Sequence, residues 1–200
     1  MPAGERACRT LLLIGSLGGA VWSIFSRSPE YADGKPHPLD RWTRRVVEGV
    51  AGHFSAVELF PFGGPPWLPF QRWAREAEGL SASPLGILIH PDYGLWHAYR
   101  GALAFAEHLE LPQLDPRARP CDSCATRPCL SACPVGAFQP LGYDVASCRD
   151  HVGSPRGAIC RDQGCMARLA CPIGREHAYP MGQMAFHMAA FVAAQQKGVT

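Results

Sequence analysis

The sequence predicts a mixed α/β (α+β) fold: an amino-terminal α/β domain, a small cysteine-rich domain and a closing helix. Three observations predict it. Short apolar runs alternate with amphipathic ones from about residue 10 to 105, three prolines and several charges interrupt the pattern over residues 106–120, and eight of the nine cysteines then fall between Cys121 and Cys171. The expected boundaries are an α/β domain over 1–108, a linker over 109–120, a cysteine-rich domain over 121–180 and a helix over 181–200. At 200 residues and 47% apolar content the chain is long enough to bury a real core.

The elements follow in order. Leu11–Ile14 (LLLI) reads as a buried strand and AVWSIFSR as a helix. Although Arg6 and Arg9 precede the apolar stretch, Leu11–Phe25 is too short for a membrane span and is interrupted by three glycines and two serines, so no membrane partner and a cytoplasmic location are expected. PEYADGKPHP reads as a loop. DRWTRRVVEGVAGHF reads as a helix capped by Asp40, with Trp42, Val46, Val47 and Val50 on one face. AVELF is a strand, PFGGPPWLP a rigid loop, FQRWAREAE a helix, GILIH a strand, and LWHAYRGALAF a strand or extended segment. In the last helix Met184, Met188 and Phe191 or Val192 form a packing stripe. The formal charge of +2 comes with no basic run interleaved with aromatics, so no nucleic-acid partner is expected.

The cysteines carry the chemistry. The first group is Cys121-x2-Cys124-x4-Cys129-x3-Cys133-Pro134, and the second is Cys148 followed by Cys160-x4-Cys165-x5-Cys171-Pro172. A disulfide scaffold fits poorly with an odd cysteine count and no convincing export signal. Zinc sites commonly pair two C-x2-C units, and this chain has one. Eight thiolates do match two [4Fe-4S] cubes, one thiolate per iron. In two-cluster ferredoxins the first three cysteines of a group hold one cube while the fourth, carried past a proline, ligates the other. Applied here, that rule assigns Cys121, Cys124, Cys129 and Cys171 to one cluster and Cys133, Cys148, Cys160 and Cys165 to the second. Cys8 is left over as a free, structurally minor thiol. The gaps of four and five residues are longer than in the usual run, and longer loops still close at small entropic cost. Small residues nearby (Ser123, Ala125, Ala132, Gly136, Gly164) let backbone amides approach the cluster sulfides.

Over residues 118–175 this layout of a fourfold group, the lone cysteine of SCRD and a second group ending in Cys-Pro resembles the ferredoxin module of epoxyqueuosine reductases and corrinoid reductive dehalogenases. The resemblance implies clusters that feed electrons to a cobalamin held by the preceding domain. Over residues 35–105, HPLD and HPDYGLWHAYRGAL resemble the cobalamin-processing CblC family, which implies a nitroreductase-like α/β domain able to accept a corrinoid or flavin-like ring. One departure bears on mechanism: Gly63 or Gly64 takes the place of the proton-donating aspartate of the epoxyqueuosine reductases, and the nearest acid is Glu58. Epoxide reduction on transfer RNA is therefore not carried over.

His90, Tyr93, Trp96, His97 and Tyr99 are polar-tipped aromatics suited to packing on a flat macrocycle, and equally to ordinary core and rim positions. The other histidines (His37, His53, His108, His151, His177, His187) lack metal-type spacing. Two functions are therefore expected. One is iron-sulfur electron transfer to a redox partner protein, which needs fewer assumptions. The other is a small cobalamin-dependent reductase or cobalamin-processing enzyme, in which the corrinoid sits near His90–Tyr99 and carries the chemistry.

Overall fold

The computed structural model describes residues 7–114, 116–140 and 142–196. Arg6, position 115 of the expected linker and positions 197–200 of the expected last helix lie outside them. The order is β1 (Thr10–Leu17), α1 (Trp22–Phe25), α2 (Pro29–Ala32), α3 (Pro38–Phe54), β2 (Val57–Leu59), α4 (Phe70–Glu78), β3 (Ser81–Ala82), β4 (Leu88–Ile89), β5 (His97–Phe105), α5 (Pro128–Ser131), β6 (Phe138–Gln139), β7 (Gly142–Tyr143), α6 (Val145–Gly153), α7 (Ala158–Gln163), α8 (Met166–Leu169) and α9 (Met181–Gln196). The α+β class expected from the sequence is what the chain adopts. Among the described residues no helix is long and apolar enough to cross a membrane.

Two compact units are interleaved along the chain. The first comprises Met1–Ser16, Ser23–Gly79 and Ala98–Pro116; the second comprises Leu17–Trp22, Leu80–His97 and Arg117–Thr200. The division is therefore not the linear one expected near residue 109. The segment Leu80–His97, read from sequence as part of the amino-terminal domain, folds with the cysteines.

In the first unit a three-stranded sheet has the order β1-β5-β2, with β2 antiparallel to β5 in the register Val57↔Ala104, Glu58↔Leu103 and Leu59↔Ala102. The core joins Val47 and Ala51 of α3 to Phe60, Leu103 and Phe105. Burying a side chain such as Val47 stabilises the fold by roughly 1.5–3 kcal/mol. Gly101 of β5 lets α3 lie close to the sheet, since a β-carbon there would stand 3.2 Å from Val47 Cγ2. Thr10 ties the chain beyond β5 to the sheet: its hydroxyl donates to the Glu107 carbonyl (2.8 Å) and accepts from the Leu109 amide (2.9 Å).

Helix α3 departs from expectation in two ways. It begins earlier, with His37 at the N-cap in the left-handed region (φ 54°) and Pro38 at the first helical position, which proline's fixed φ suits. Asp40 is thus not the cap, and its carboxylate instead accepts from the Arg100 guanidinium. The buried stripe is Thr43, Val47 and Ala51 at four-residue intervals, whereas Val46 and Val50 remain 37% and 36% exposed. The sheet takes the row in which Val47 faces Gly101. Trp42 packs instead on Phe25, ring centroids 5.8 Å apart. Two smaller differences precede it. The expected helix AVWSIFSR shortens to the single turn α1, and the first four residues of the expected loop PEYADGKPHP form α2, capped by Ser28, whose hydroxyl accepts from the Tyr31 amide at 3.3 Å.

The second unit carries two small hairpins, β3-β4 and β6-β7, and the helices α5 to α9. Its core gathers Leu85, Ile89, Leu95 and Ala167 around Cys129 and Cys171. Helices α5 and α8 pack together, and α9 lies against α7 and α6. Met184 of α9 sits on Gly164, where φ is +95° and a β-carbon would approach the Met184 sulfur to 2.6 Å, so the expected methionine stripe is packing at that position. The HPDYG turn interlocks with the segment after Cys171. Gly94 (φ +56°) and Gly174 (φ +66°) abut so closely that a β-carbon on Gly94 would overlap the Ile173 carbonyl, and one on Gly174 the backbone of Tyr93.

Candidate metal centre

All eight clustered cysteines lie in the second unit as free thiols. Cys121 and Cys124 occupy the loop before α5, Cys129 lies within α5, and Cys133 follows it. Cys148 is carried by α6 and Cys160 by α7, Cys165 is the N-cap of α8, and Cys171 lies just beyond it. The short helices exist because Pro128 starts α5 and the Cys-Pro steps forbid continuation.

The thiols fall into two sets of four. Cys121, Cys124, Cys129 and Cys171 line one pocket, walled on its apolar side by Leu85, Ile89, Leu95 and Ile173 and reached by Arg127. Burial pushes the thiols of Cys121, Cys129 and Cys171 up, and the strongest thiol neighbours of each are members of this set: Cys171, Cys129 and Cys124 act on Cys121, Cys171 and Cys124 on Cys129, and Cys124 on Cys171. The second set behaves alike. Burial raises Cys148, Cys160 and Cys165, and Cys133 acts on all three, with Cys165 acting on Cys148, Cys148 on Cys160, and Cys160 on Cys165.

Backbone amides oppose that burial at the same sulfurs. The amides of Leu130 near Cys129, Ile173 near Cys171, Met166 near Cys160, and Ala167 and Arg168 near Cys165 each pull the thiol's pKa down. The Ala137 amide donates to Cys133 Sγ at 3.3 Å. Cys165 is the N-cap residue of α8 and makes no side-chain cap hydrogen bond. Amide donors at sulfur favour the thiolate over the thiol and give a cluster ligand its orientation. Among the described residues no three His, Cys, Asp or Glu side chains converge as ligands of one ion.

Of the five expected ring-binding aromatics, four lie in this unit and Tyr99 in the other. His90 is 9% exposed, its Nδ1 accepts from the Asp92 and Tyr93 amides (3.0 and 3.2 Å), and its ring stacks on Tyr93 at 4.1 Å. Tyr93 also meets His177 edge-on, and His97 lies 5.9 Å from His90, centroid to centroid. Trp96 is 1% exposed and lies under the Arg168 guanidinium (4.5 Å), whose other contact is Tyr179 (4.4 Å). Arg168 Nε donates to the Leu95 carbonyl at 3.1 Å. In the first unit burial and a hydrogen bond to Glu78 push the Tyr99 phenol up. Two contributors escaped the sequence reading. Arg168 gave no motif, though its place midway between Cys165 and Cys171 is a signal; Tyr143, whose phenol pulls the Cys148 thiol down against its burial, stands five residues before it with nothing to mark it. Cys8 is exposed, and its thiol donates to the Thr10 carbonyl at 3.3 Å.

No protein-family model and no curated protein matches the sequence. Solved structures do match. One is epoxyqueuosine reductase from Bacillus subtilis with its catalytic loop swung out of the active site, at TM-score 0.48 and 17% identity over 72% of this chain and 40% of that one. Another is an epoxyqueuosine reductase with an epoxyqueuosine-modified tRNA-Tyr stem loop, at TM-score 0.45 and 17% identity over 83% of this chain and 42% of that one. The enzyme from Streptococcus thermophilus matches at TM-score 0.42 and 18% identity, over 90% and 47% of the two chains. The chain thus spans less than half the length of each of these proteins.

Proposed function

We propose that this chain is an iron-sulfur electron-transfer protein that holds two [4Fe-4S] clusters, one on Cys121, Cys124, Cys129 and Cys171 and one on Cys133, Cys148, Cys160 and Cys165. The observation that carries the reading is the division of the thiols. Under the crossed assignment each group lends its last cysteine to the other set, and two features support it: Cys171 lines one pocket with Cys121, Cys124 and Cys129, and Cys133 acts on Cys165. The surroundings fit the group: buried thiols, amides aimed at sulfur, and an apolar wall around the first set. Such clusters supply reversible one-electron storage; the protein's part is to bind, orient and shield them.

A second reading, delivery of the electrons to a corrinoid near His90–Tyr99, rests on the sequence resemblance. His90 and Trp96 are interior and committed to Tyr93, Arg168 and neighbouring amides, which favours electron transfer alone. Titration of cobalamin into the anaerobic protein separates the two: a shift to the base-off spectrum would establish the reductase reading, and an unchanged spectrum at high corrinoid concentration would remove it.

The crossed assignment has a direct test in paired substitutions, read by iron and sulfide content after anaerobic purification. Cys121→Ala with Cys171→Ala takes two ligands from one set and should halve the iron. Cys121→Ala with Cys165→Ala takes one from each and should remove nearly all of it. If the Cys121 and Cys171 pair strips both clusters, the crossed ligation is wrong.

A further inference from the structure

The gap Cys124-x4-Cys129 is two residues longer than in the usual cluster run, and its extra length is absorbed by neither the ligand set nor the core: Ala125, Thr126 and Arg127 are all exposed. We propose that the gap holds Arg127 at the mouth of the first thiol pocket as a fixed positive charge, which raises the reduction potential of the first cluster and leaves that of the second unmoved. The inference rests on the two-cluster reading above and deepens it.

The placement follows from the backbone. Arg127 adopts φ 40° and ψ 55°, a left-handed conformation that glycine takes freely and an L-residue only at a cost. Pro128 then starts α5, and the Leu130 amide closes the turn by donating to the Arg127 carbonyl at 3.0 Å. Held in this way, Arg127 lines the pocket beside Cys121, Cys124, Cys129 and Cys171.

Its charge is uncommitted. Arg117 pairs with Asp92 at 2.6 Å and Arg119 faces Asp122 at 4.0 Å, whereas the Arg127 guanidinium meets no carboxylate among the described residues. The second gap of the same length, Cys160-x4-Cys165, also carries an arginine, and there the charge is neutralised. Arg161 Nε donates to Asp162 at 3.1 Å, and its Nη1 donates to the Val152 carbonyl at 3.3 Å. At the first set the free cation already acts on sulfur, pulling the Cys121 thiol down against its burial.

The consequence is electrostatic. Reduction adds one electron to a cluster without making or breaking a bond, and a fixed cation beside the cluster favours that added charge. Because Arg127 is exposed, salt weakens the effect: the Debye length falls from about 30 Å at 0.01 M ionic strength to about 3 Å at 1 M.

Arg127→Gly removes the charge and suits the backbone, while Arg127→Lys keeps the charge. The anaerobic wild-type and variant proteins are compared by iron and sulfide content and by spectroelectrochemical titration of both clusters at low and high ionic strength. The expected result for Arg127→Gly is unchanged content, one midpoint displaced to more negative potential at low ionic strength and the other unmoved. High ionic strength should shrink that displacement, and Arg127→Lys should recover most of it. The displacement should persist in a background carrying Cys133→Ala and Cys165→Ala, where only the first cluster remains, and vanish in one carrying Cys121→Ala and Cys171→Ala. Two unmoved midpoints, two that move together, or a displacement that salt leaves intact would overturn the inference. Should Arg127→Gly lose the first cluster, Arg127→Asn, which also tolerates the left-handed region, takes its place in the titration. Loss of that cluster from both, with Arg127→Lys still loaded, would assign the arginine to retention and overturn the inference equally. A wild-type protein without clusters would instead bring down the two-cluster reading itself, a result distinct from unmoved midpoints in a loaded protein.

Discussion

Gly94→Ala is expected to damage the cysteine-bearing unit far more than a glycine substitution of similar backbone strain elsewhere in it. Gly94 has φ +56°, a region that costs an L-residue roughly 1–2 kcal/mol. A β-carbon there also falls 2.7 Å from the Ile173 carbonyl carbon and overlaps its oxygen, backbone atoms that cannot rotate away. Overpacking of that kind adds typically about 1–3 kcal/mol, for a total of about 2–5 kcal/mol. Gly86 is the internal control. It has φ +77° in the turn of the β3-β4 hairpin, and a β-carbon on it would meet nothing within 4 Å, so Gly86→Ala should carry the backbone cost alone. The difference of about 1–3 kcal/mol corresponds to roughly 2–12 °C in melting temperature for a chain of this size. Thermal unfolding of both variants, followed by circular dichroism on anaerobic protein, measures it. Because Ile173 lies two residues beyond Cys171, Gly94→Ala should also release iron faster on heating. Equal melting temperatures for the two variants would show that the close approach of the HPDYG turn to the Cys171 segment contributes nothing, and the reasoning would fail.

Two further outcomes follow from the same unit. Burial holds Cys121, Cys129, Cys148, Cys160, Cys165 and Cys171 above the ordinary thiol pKa, so the folded iron-free chain keeps protons that the unfolded chain releases from about pH 8.5 upward. The stability gained from the neutral thiols is therefore present below that pH and is lost as pH rises through the folded pKa values; urea midpoints of the iron-free protein should fall between pH 8 and 10, and a midpoint that rises would contradict the burial. Arg168→Lys retains the charge but neither the flat stack between Trp96 and Tyr179 nor the fork onto the Leu95 carbonyl, and should cost about 1–2 kcal/mol with a red-shifted tryptophan emission as Trp96 meets water. Wild-type stability and emission in that variant would assign the arginine no anchoring role.

How legible each part was depends on the range of the forces that shape it. Helix α4 and strand β5 emerged nearly intact from local pattern, whereas β1, expected over Leu11–Ile14, extends to Thr10–Leu17. The face of α3 did not emerge. Its most hydrophobic residues, Val46 and Val50, lie beside the stripe that is actually buried, and the choice between adjacent stripes was made by Gly101 on a strand far along the chain. Asp40 misled for a related reason: a carboxylate near a helix start reads as a cap, and only the long-range partner Arg100 shows it to be half of an ion pair. The domain boundary failed on the same ground, since Leu80–His97 has the local texture of an α/β segment while its close contacts at Gly94 and Trp96 are to residues after Cys165.

That the cysteines gather in one unit was legible because their crowding in the sequence is itself the constraint. Four cysteines on short turns stopped by proline can gather in few ways, and the crossed arrangement we propose is the one in which the segments after α5 and α8 would exchange their last sulfurs. Arg168 and Tyr143 were not legible, because what they contribute is placement: one is wedged between two rings, the other is held by a hairpin of two-residue strands. The histidine-proline and tryptophan positions belong with them. His90 and Trp96 look from sequence like a surface for a flat ligand; in the fold His90 stacks on Tyr93, Trp96 lies under Arg168, and Gly94 between them abuts Ile173. Loops that carry buried thiols need something rigid behind them, and here the HPDYGLW segment supplies it through one glycine contact, one carbonyl and one cation held between aromatic rings.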